Sequence, residues 1–175
     1  MNGNSLVYWD ACIFLALIKN ETRKDIKDMQ GVKEFAGKID KGEIGLVTSV
    51  ITIPEVLEST LAKSSIDMFQ EYLLRPELVL VDVNKRIANI AHGIRNYYQI
   101  QKQKDQIKTV AVPDAIHLAT AISLNCAVFH TFDGDGGQKH GESRVLLSLN
   151  PKVAGAYNLI IEKPSPGLQP SLLDT

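Results

Sequence analysis

Along the chain, short unbroken apolar runs alternate with longer stretches whose apolar residues recur every three or four positions. The runs at 6–9, 44–48, 78–83, 127–129 and 157–161 are too short for helices and predict strands. Cys12, Leu15, Ala16 and Lys19 begin a first helical pattern, a polar loop covers 20–27, and Val32, Phe35, Ala36 and Ile39 mark a second helix that Gly42 ends. Thr52-Ile53-Pro54-Glu55 opens a helix running through Val56, Leu57, Ser59 and Thr60, and another covers 65–74 before Arg75-Pro76-Glu77 breaks it. Asn84 caps a helix with Ile87, Ile90, Ala91, Ile94 and Tyr98 on one stripe, which dissolves into polar sequence over 99–108. Pro113 suits the first turn of the next helix, where Ala115, Leu118, Ala119 and Ile122 follow at helical spacing and Asn125 is the stop. Glycine-rich sequence follows Thr131, and a further apolar run occupies 145–149. Strands alternating with helices of this length predict an α/β fold with a mostly parallel sheet covered on both faces.

Composition narrows the picture. The chain has 175 residues, 45% of them hydrophobic, which fits one domain with a substantial core. We expect that domain over 1–163, followed by a flexible tail over 164–175 in which Pro164, Pro166 and Pro170 disfavour regular structure. A net charge of −1 gives no global basic signal, so any nucleic-acid role must come from local clusters. The longest apolar run, 12–18, is far below the roughly 18 residues of a membrane span, and no secretory pattern opens the chain. A cytoplasmic protein without membrane contact is expected. Cys12 and Cys126 both sit in apolar sequence and are read as packing residues, Cys12 at the wall of a site.

Four acids share one description. Asp10, Glu55, Asp114 and Asp133 each lie within a few residues of a strand end or a strand-to-helix junction, which is where open α/β sheets gather their ligand sites. Crowded carboxylates repel unless cations neutralise them, and Mg²⁺ or Mn²⁺ is the hard, oxygen-seeking guest that suits them. Such ions support phosphodiester hydrolysis. Each acid also has an ordinary explanation: Thr52 and Glu55 have the spacing of a capping box, and Asp114 would favour the helix dipole. Asp10 is harder to explain this way, because an acid directly after an apolar strand gains little from burial.

Other readings of the same residues fail. A calcium loop beginning at Asp133 would need glycine at 138 and glutamate at 144, where Gln138 and Arg144 stand, and a dinucleotide loop would need glycine where Lys139 stands. An aspartyl-nucleophile phosphatase carries a second acid two residues on, where this chain has Cys12. His92, His117, His130 and His140 show no zinc spacing. His117, three residues beyond Asp114, is either a structural histidine or a group that orients a carboxylate or touches phosphate. Lys19, Arg23, Lys24 and Lys27 form one basic cluster and Lys102, Lys104 and Lys108 another beside Tyr97 and Tyr98; such runs are either solvated faces or, interleaved with aromatics, surfaces that can hold phosphates and stack unpaired bases.

The order and context of these acids resemble the PIN domain family, which includes VapC-type toxins. The matching pieces are VYWDACIFLAL with Asp10, TSVITIPEVLES with Glu55, VPDAIHLATA with Asp114, and VFHTFDGD with Thr131 and Asp133. The resemblance implies a three-layer α/β/α sandwich with a central parallel sheet of about five strands and a Mg²⁺- or Mn²⁺-dependent endoribonuclease site. It implies Asp10, Asp114 and Asp133 as metal-binding acids, Glu55 as the fourth acid acting through water, and Asp135 as an auxiliary metal ligand. Thr131, His117, Lys102 and Lys104 are the expected RNA contacts. An antitoxin protein and a second copy of the chain are the partners it implies. The segment 136–151 is longer and more polar than in minimal members of the family. The rival readings are a catalytically idle PIN-like module that binds RNA or protein, and a related structure-specific DNA nuclease.

Overall fold

In the computed structural model, which describes residues 5–105, 108–136, 143–150 and 152–167, the apolar runs become one five-stranded, all-parallel sheet. Its strands are β1 (Leu6–Trp9), β2 (Gly45–Ser49), β3 (Leu78–Val81), β4 (Val128–His130) and β5 (Ile160–Glu162), in the spatial order β3-β2-β1-β4-β5. The register sets Tyr8 between Val47 on β2 and Phe129 on β4. Because side chains alternate across a strand, Val7 and Trp9 face one layer and Tyr8 the other.

Helices α1 (Ala11–Ile18), α2 (Ile26–Asp40), α3 (Thr52–Leu57) and α4 (Lys63–Leu73) carry the β1-to-β2 and β2-to-β3 connections. Phe14, Val32, Phe35 and Phe69 from these helices pack with Val7, Trp9, Leu46 and Leu78 into one core. Helices α5 (Lys85–Asp105) and α6 (Val112–Ser123) carry the chain from β3 back across to β4. Their Ile87, Ile94, Leu118 and Ala119 pack with Tyr8, Val47, Phe129 and Ile161 into a second core on the opposite face. The result is the expected three-layer α/β/α sandwich. Among the described residues no helix is long and apolar enough to cross a membrane.

Several elements depart from the sequence pattern. The helix opened at Thr52 ends at Leu57, and α4 is separate from it. Helix α5 does not dissolve after Gln99 but runs to Asp105, because glutamine and lysine propagate a helix without an apolar stripe. The last strand begins at Ile160, and Tyr157 instead bridges Val153. The apolar run at 145–149 forms a short 3-10 helix, Leu146–Leu149. Asn84 does cap α5, its side chain accepting from the Ile87 amide at 3.1 Å. Asn125 leaves α6 in the left-handed region at φ 52°. At the start of the expected tail, Pro164 is buried against Gly31 of α2, and the Gly167 amide donates to Glu34 at 2.9 Å. Residues 168–175 lie outside the described residues.

Candidate active site

The sheet order has a consequence for where a site belongs. From β1 the chain moves outward to β2 and β3, then returns to the other side of β1 as β4, so the topology switches direction between β1 and β4. The crevice at the carboxyl ends of those two strands is where such folds place ligands. Asp10 leaves β1 and Asp133 follows β4 at that point.

Asp10 caps α1. Its Oδ1 accepts from the Cys12 amide at 3.1 Å, the Ile13 amide at 3.4 Å and the Cys12 thiol at 2.8 Å. The side chain is 6% exposed, and burial raises its pKa although these hydrogen bonds act in the opposite direction. Cys12 works on both sides of the crevice, since its sulfur also accepts from the Phe132 amide at 3.0 Å. Burial and the Asp10 charge push its thiol well up, so it stays a neutral donor and not a nucleophile.

Asp133 is held by a braced turn. Its amide donates to Thr131 Oγ1 at 2.9 Å, and its Oδ2 accepts from the Leu146 amide at 2.7 Å. Gly134, at φ 104°, lets the turn pass against Val145; a Cβ there would come 2.9 Å from Val145 Cγ2. Burial raises the Asp133 carboxyl, with the Leu146 amide pulling the other way. Asp114 occupies the first turn of α6, at the positive end of the helix dipole. Its pKa is nonetheless raised to about 6, first by burial, then by the Asp133 charge, with smaller contributions from Asp10 and Glu55 and opposition from His117.

Glu55 is not the arm of a capping box. The residue before α3 is Ile51, with no side-chain cap, and the Thr52 hydroxyl instead meets Thr48 Oγ1 at 2.7 Å. Glu55 Oε2 lies 2.6 Å from His117 Nε2, and His117 Nδ1 lies 2.6 Å from the Tyr8 hydroxyl. Burial and the Asp10 charge push the Tyr8 phenol well above its ordinary pKa. Nε2–H donates to Glu55, and the neutral Tyr8 phenol engages the other ring nitrogen. His117 is 2% exposed and has both ring nitrogens engaged, so it orients a carboxylate and offers nothing to a phosphate. Thr131 is fully buried and likewise braces the turn in place of lining a substrate path.

Asp135 departs furthest from expectation. It sits two residues beyond Asp133, but its carboxylate meets Arg23 at 3.0 Å and Lys163 at 2.8 Å, and these cations lower its pKa. The same two cations meet the buried Asp28, at 3.6 Å and 3.0 Å. Arg23 also lies 3.7 Å above the centre of the Phe132 ring. Asp135 thus ties the β4 turn to α2 and to the chain after β5. Lys102 is exposed on α5, while the side chain of Lys104 lies outside the described residues. Tyr98, expected to stack bases, is buried, and its hydroxyl accepts from the Ala154 amide at 2.9 Å.

Hydroxyl, thiol and cation partners of these acids escaped sequence reasoning. Tyr8 and His117 are 109 residues apart, and only the packing of α6 on the sheet brings them together. Cys12 carried a signal in its place two residues after Asp10; Arg23, Asp28 and Lys163 carried none beyond their charge.

The residues suit a hard divalent cation. Among the described residues no group of three or more His, Cys, Asp or Glu side chains is placed to hold a metal ion by itself. Asp10 is buried and Asp114 and Asp133 are half-buried at the same crevice, and burial first and the Asp133 charge second raise Asp114, a carboxylate set that suits Mg²⁺, which retains several waters and takes few protein ligands. The model of the PIN domain matches residues 7–140. The chain belongs to the PIN domain family. Its fold is similar to VapBC2 from Rickettsia felis bound to a DNA fragment from the promoter, at a TM-score of 0.59 and 15% identity, covering 90% of this chain and 97% of that one. It is also similar to VapC20 of Mycobacterium tuberculosis, a Sarcin-Ricin loop cleaving toxin, at 0.50 and 14%, covering 74% and 91%. None of the curated proteins compared by sequence matches the chain.

Proposed function

We propose that this PIN domain is a Mg²⁺- or Mn²⁺-dependent endoribonuclease. The observation that carries the reading is Asp114, raised to about 6 by burial and by Asp133, Asp10 and Glu55 at the switch point of the sheet. A fold gains nothing from this repulsion, whereas a cation-binding site requires the oxygens that cause it.

Asp10, Asp114 and Asp133 would hold the ion. When bound, a hard divalent cation neutralises these charges and supplies activated water for phosphodiester hydrolysis. The chain's own residues do the rest. Cys12 and the α1 amides hold Asp10 in one rotamer, and the Leu146 amide does the same for Asp133. Glu55 is the proton acceptor of the site, aimed by His117 Nε2–H, whose ring Tyr8 holds in place. Lys102 and Lys104 on α5 are the proposed contacts to RNA phosphates, because the end of α5 leads directly to the start of α6 and Asp114.

Similarity in fold to VapBC2 and to VapC20, a Sarcin-Ricin loop cleaving toxin, supports a toxin role with an antitoxin partner; we propose further that the protein is cytoplasmic and a homodimer. The test is purified protein incubated with total RNA and with matched DNA in Mg²⁺, in Mn²⁺ and in chelator, with the new ends sequenced. Metal-dependent RNA ends that vanish in Asp114→Asn support the reading. Cleavage of DNA alone, or no cleavage with either metal, overturns it.

A further inference from the structure

A cavity of about 340 Å³ opens beside the β4 turn, lined by Glu21, Thr22, Arg23 and Lys24 from the loop after α1 and by Phe132 and Asp135, which flank Asp133. Its size is at the lower end of the roughly 300–1,000 Å³ of ligand clefts. Arg23 dominates its chemistry. One face of the guanidinium lies on Phe132, and its edges meet Glu21 at 3.3 Å, Asp135 at 3.0 Å and Asp28 at 3.6 Å. Three carboxylates thus surround this cation, so it is a fixed flat platform more than a phosphate anchor. Arg23 also lines the cavity, so what it presents there is the part of the guanidinium that Phe132 and the carboxylates leave uncovered.

The remaining groups restrict what fits. Two carboxylates on the rim repel a bare anion, which excludes phosphate alone or an acidic ligand as the natural occupant. Glu21 uses Oε2 for Arg23, and its Oε1 accepts nothing among the described residues. Lys24 is exposed and has no ion-pair partner among them, and Lys27 on the same loop-to-helix junction is also exposed. A ligand that stacks on a guanidinium, gives N–H donors to carboxylates and places a phosphate against an ammonium is an unpaired nucleotide. Guanine suits best, because its neighbouring N1–H and N2–H groups can share the free Oε1 of Glu21.

We infer that this cavity is a base-specific subsite that seats one unpaired nucleotide, preferably guanosine, next to the phosphodiester cut at Asp133. The inference rests on the ribonuclease reading above and adds which base the site selects. Stacking on Arg23 fixes the base plane, Glu21 reads the pairing edge, and Lys24 holds the adjoining phosphate.

The test digests a randomised RNA pool with the parent, Glu21→Gln and Lys24→Gln, and sequences the ends. In parallel, an oligomer carrying photoreactive 6-thioguanosine is crosslinked to Asp114→Asn and the attachment mapped by mass spectrometry. We expect guanine enrichment at one position beside the cut, and loss of most of that enrichment in Glu21→Gln. Lys24→Gln should cut less at low RNA concentration with the same base preference. Crosslinks should fall on 21–24 or 132–136. An active parent whose base preference is the same in Glu21→Gln, or crosslinks confined to α5, overturns the subsite and leaves the nuclease standing; a parent that neither cuts nor crosslinks overturns both.

Discussion

Glu55 and His117, 62 residues apart in sequence, meet at 2.6 Å, and the far side of the His117 ring rests on the Tyr8 hydroxyl. A helix side chain and a strand side chain therefore set the direction of one acid. Partners of this kind typically change activity by about 10–100-fold when removed. His117→Gln should lose cleavage on that scale while keeping its fold, read as kcat at saturating RNA and circular dichroism. Tyr8→Phe should lose less activity and cost about 1–3 kcal/mol of stability, since it leaves a buried ring nitrogen without its partner. Full activity in His117→Gln would remove Glu55 from the proton-handling role.

Asp114 gives a pH signature in metal-free protein. Its folded pKa of about 6 exceeds the ordinary 3.8, so between those values the folded state binds the extra proton. Stability therefore falls as pH rises through 3.8 to 6. In chelator, Asp114→Asn should melt higher than the parent at pH 7, by on the order of 2–3 kcal/mol, and the advantage should vanish near pH 4. An advantage that does not change with pH would mean that Asp114 is not held protonated by its neighbours. Adding Mn²⁺ at pH 7 should raise the melting temperature of the parent more than that of the variant.

Much of this was legible in the sequence because strands buried on both faces read as continuous apolar runs. Val7-Tyr8-Trp9 has no polar alternation and became a parallel strand buried on both faces; Leu78-Val79-Leu80 reads the same way but forms the edge strand, where Val79 and Leu80 stay exposed. The acids were legible by position, because the end of a strand is a place the fold exposes to ligand. What escaped was whatever depended on register or on long-range charge. Thr52 and Glu55 have capping-box spacing, and the local rule lost because His117 offers Glu55 a closer tertiary partner. Asp133 and Asp135 look equivalent two residues apart, yet Leu146 holds one and two distant cations hold the other.

That difference separates the two acids experimentally. Asp133→Asn should abolish cleavage and reduce the melting shift given by Mn²⁺. Asp135→Asn should retain measurable activity and the full metal shift, while becoming more sensitive to salt and urea because the turn loses its tie to Arg23 and Lys163. Equal loss of activity and of metal response in both variants would make Asp135 a ligand after all.

Gly31 tests whether the start of the proline-rich segment belongs to the domain. A Cβ at Gly31 would lie 2.2 Å from the Pro164 carbonyl oxygen, a backbone atom that moves only if the whole segment lifts off α2. Gly31→Ala should therefore cost about 1–3 kcal/mol in the full chain. In a chain ending at Lys163 the same substitution should be neutral or stabilising, since alanine is the better helix residue by about 1 kcal/mol. Truncation after Gly167 should leave the cost in place. Melting curves of the six combinations decide it, and an unchanged cost in the short chain would exclude the Pro164 contact as its cause.

His130 makes the opposite pH prediction to Asp114. The ring is fully buried, its Nδ1 accepts from Trp9 Nε1 at 3.1 Å, and the edge of Phe35 packs on it. Tryptophan only donates, so the proton sits on Nε2, where no acceptor stands within hydrogen-bonding distance and Glu162 is 3.9 Å away. Burial lowers the pKa to about 3, against 6.5 in the unfolded chain. The unfolded state therefore binds the extra proton throughout that window, and stability present above pH 6.5 is lost as pH falls toward 3. Each unit within the window costs about 1.4 kcal/mol. His130→Gln keeps an acceptor for Trp9 and cannot titrate, so the stability of the parent relative to this variant should fall by about 2 kcal/mol between pH 6.5 and 5 and stay flat between 7 and 8.5. Urea unfolding of both proteins across that range measures the difference directly. A flat difference over the whole range would mean that the native ring accepts a proton as readily as the unfolded one, which the Trp9 contact and the apolar surroundings exclude.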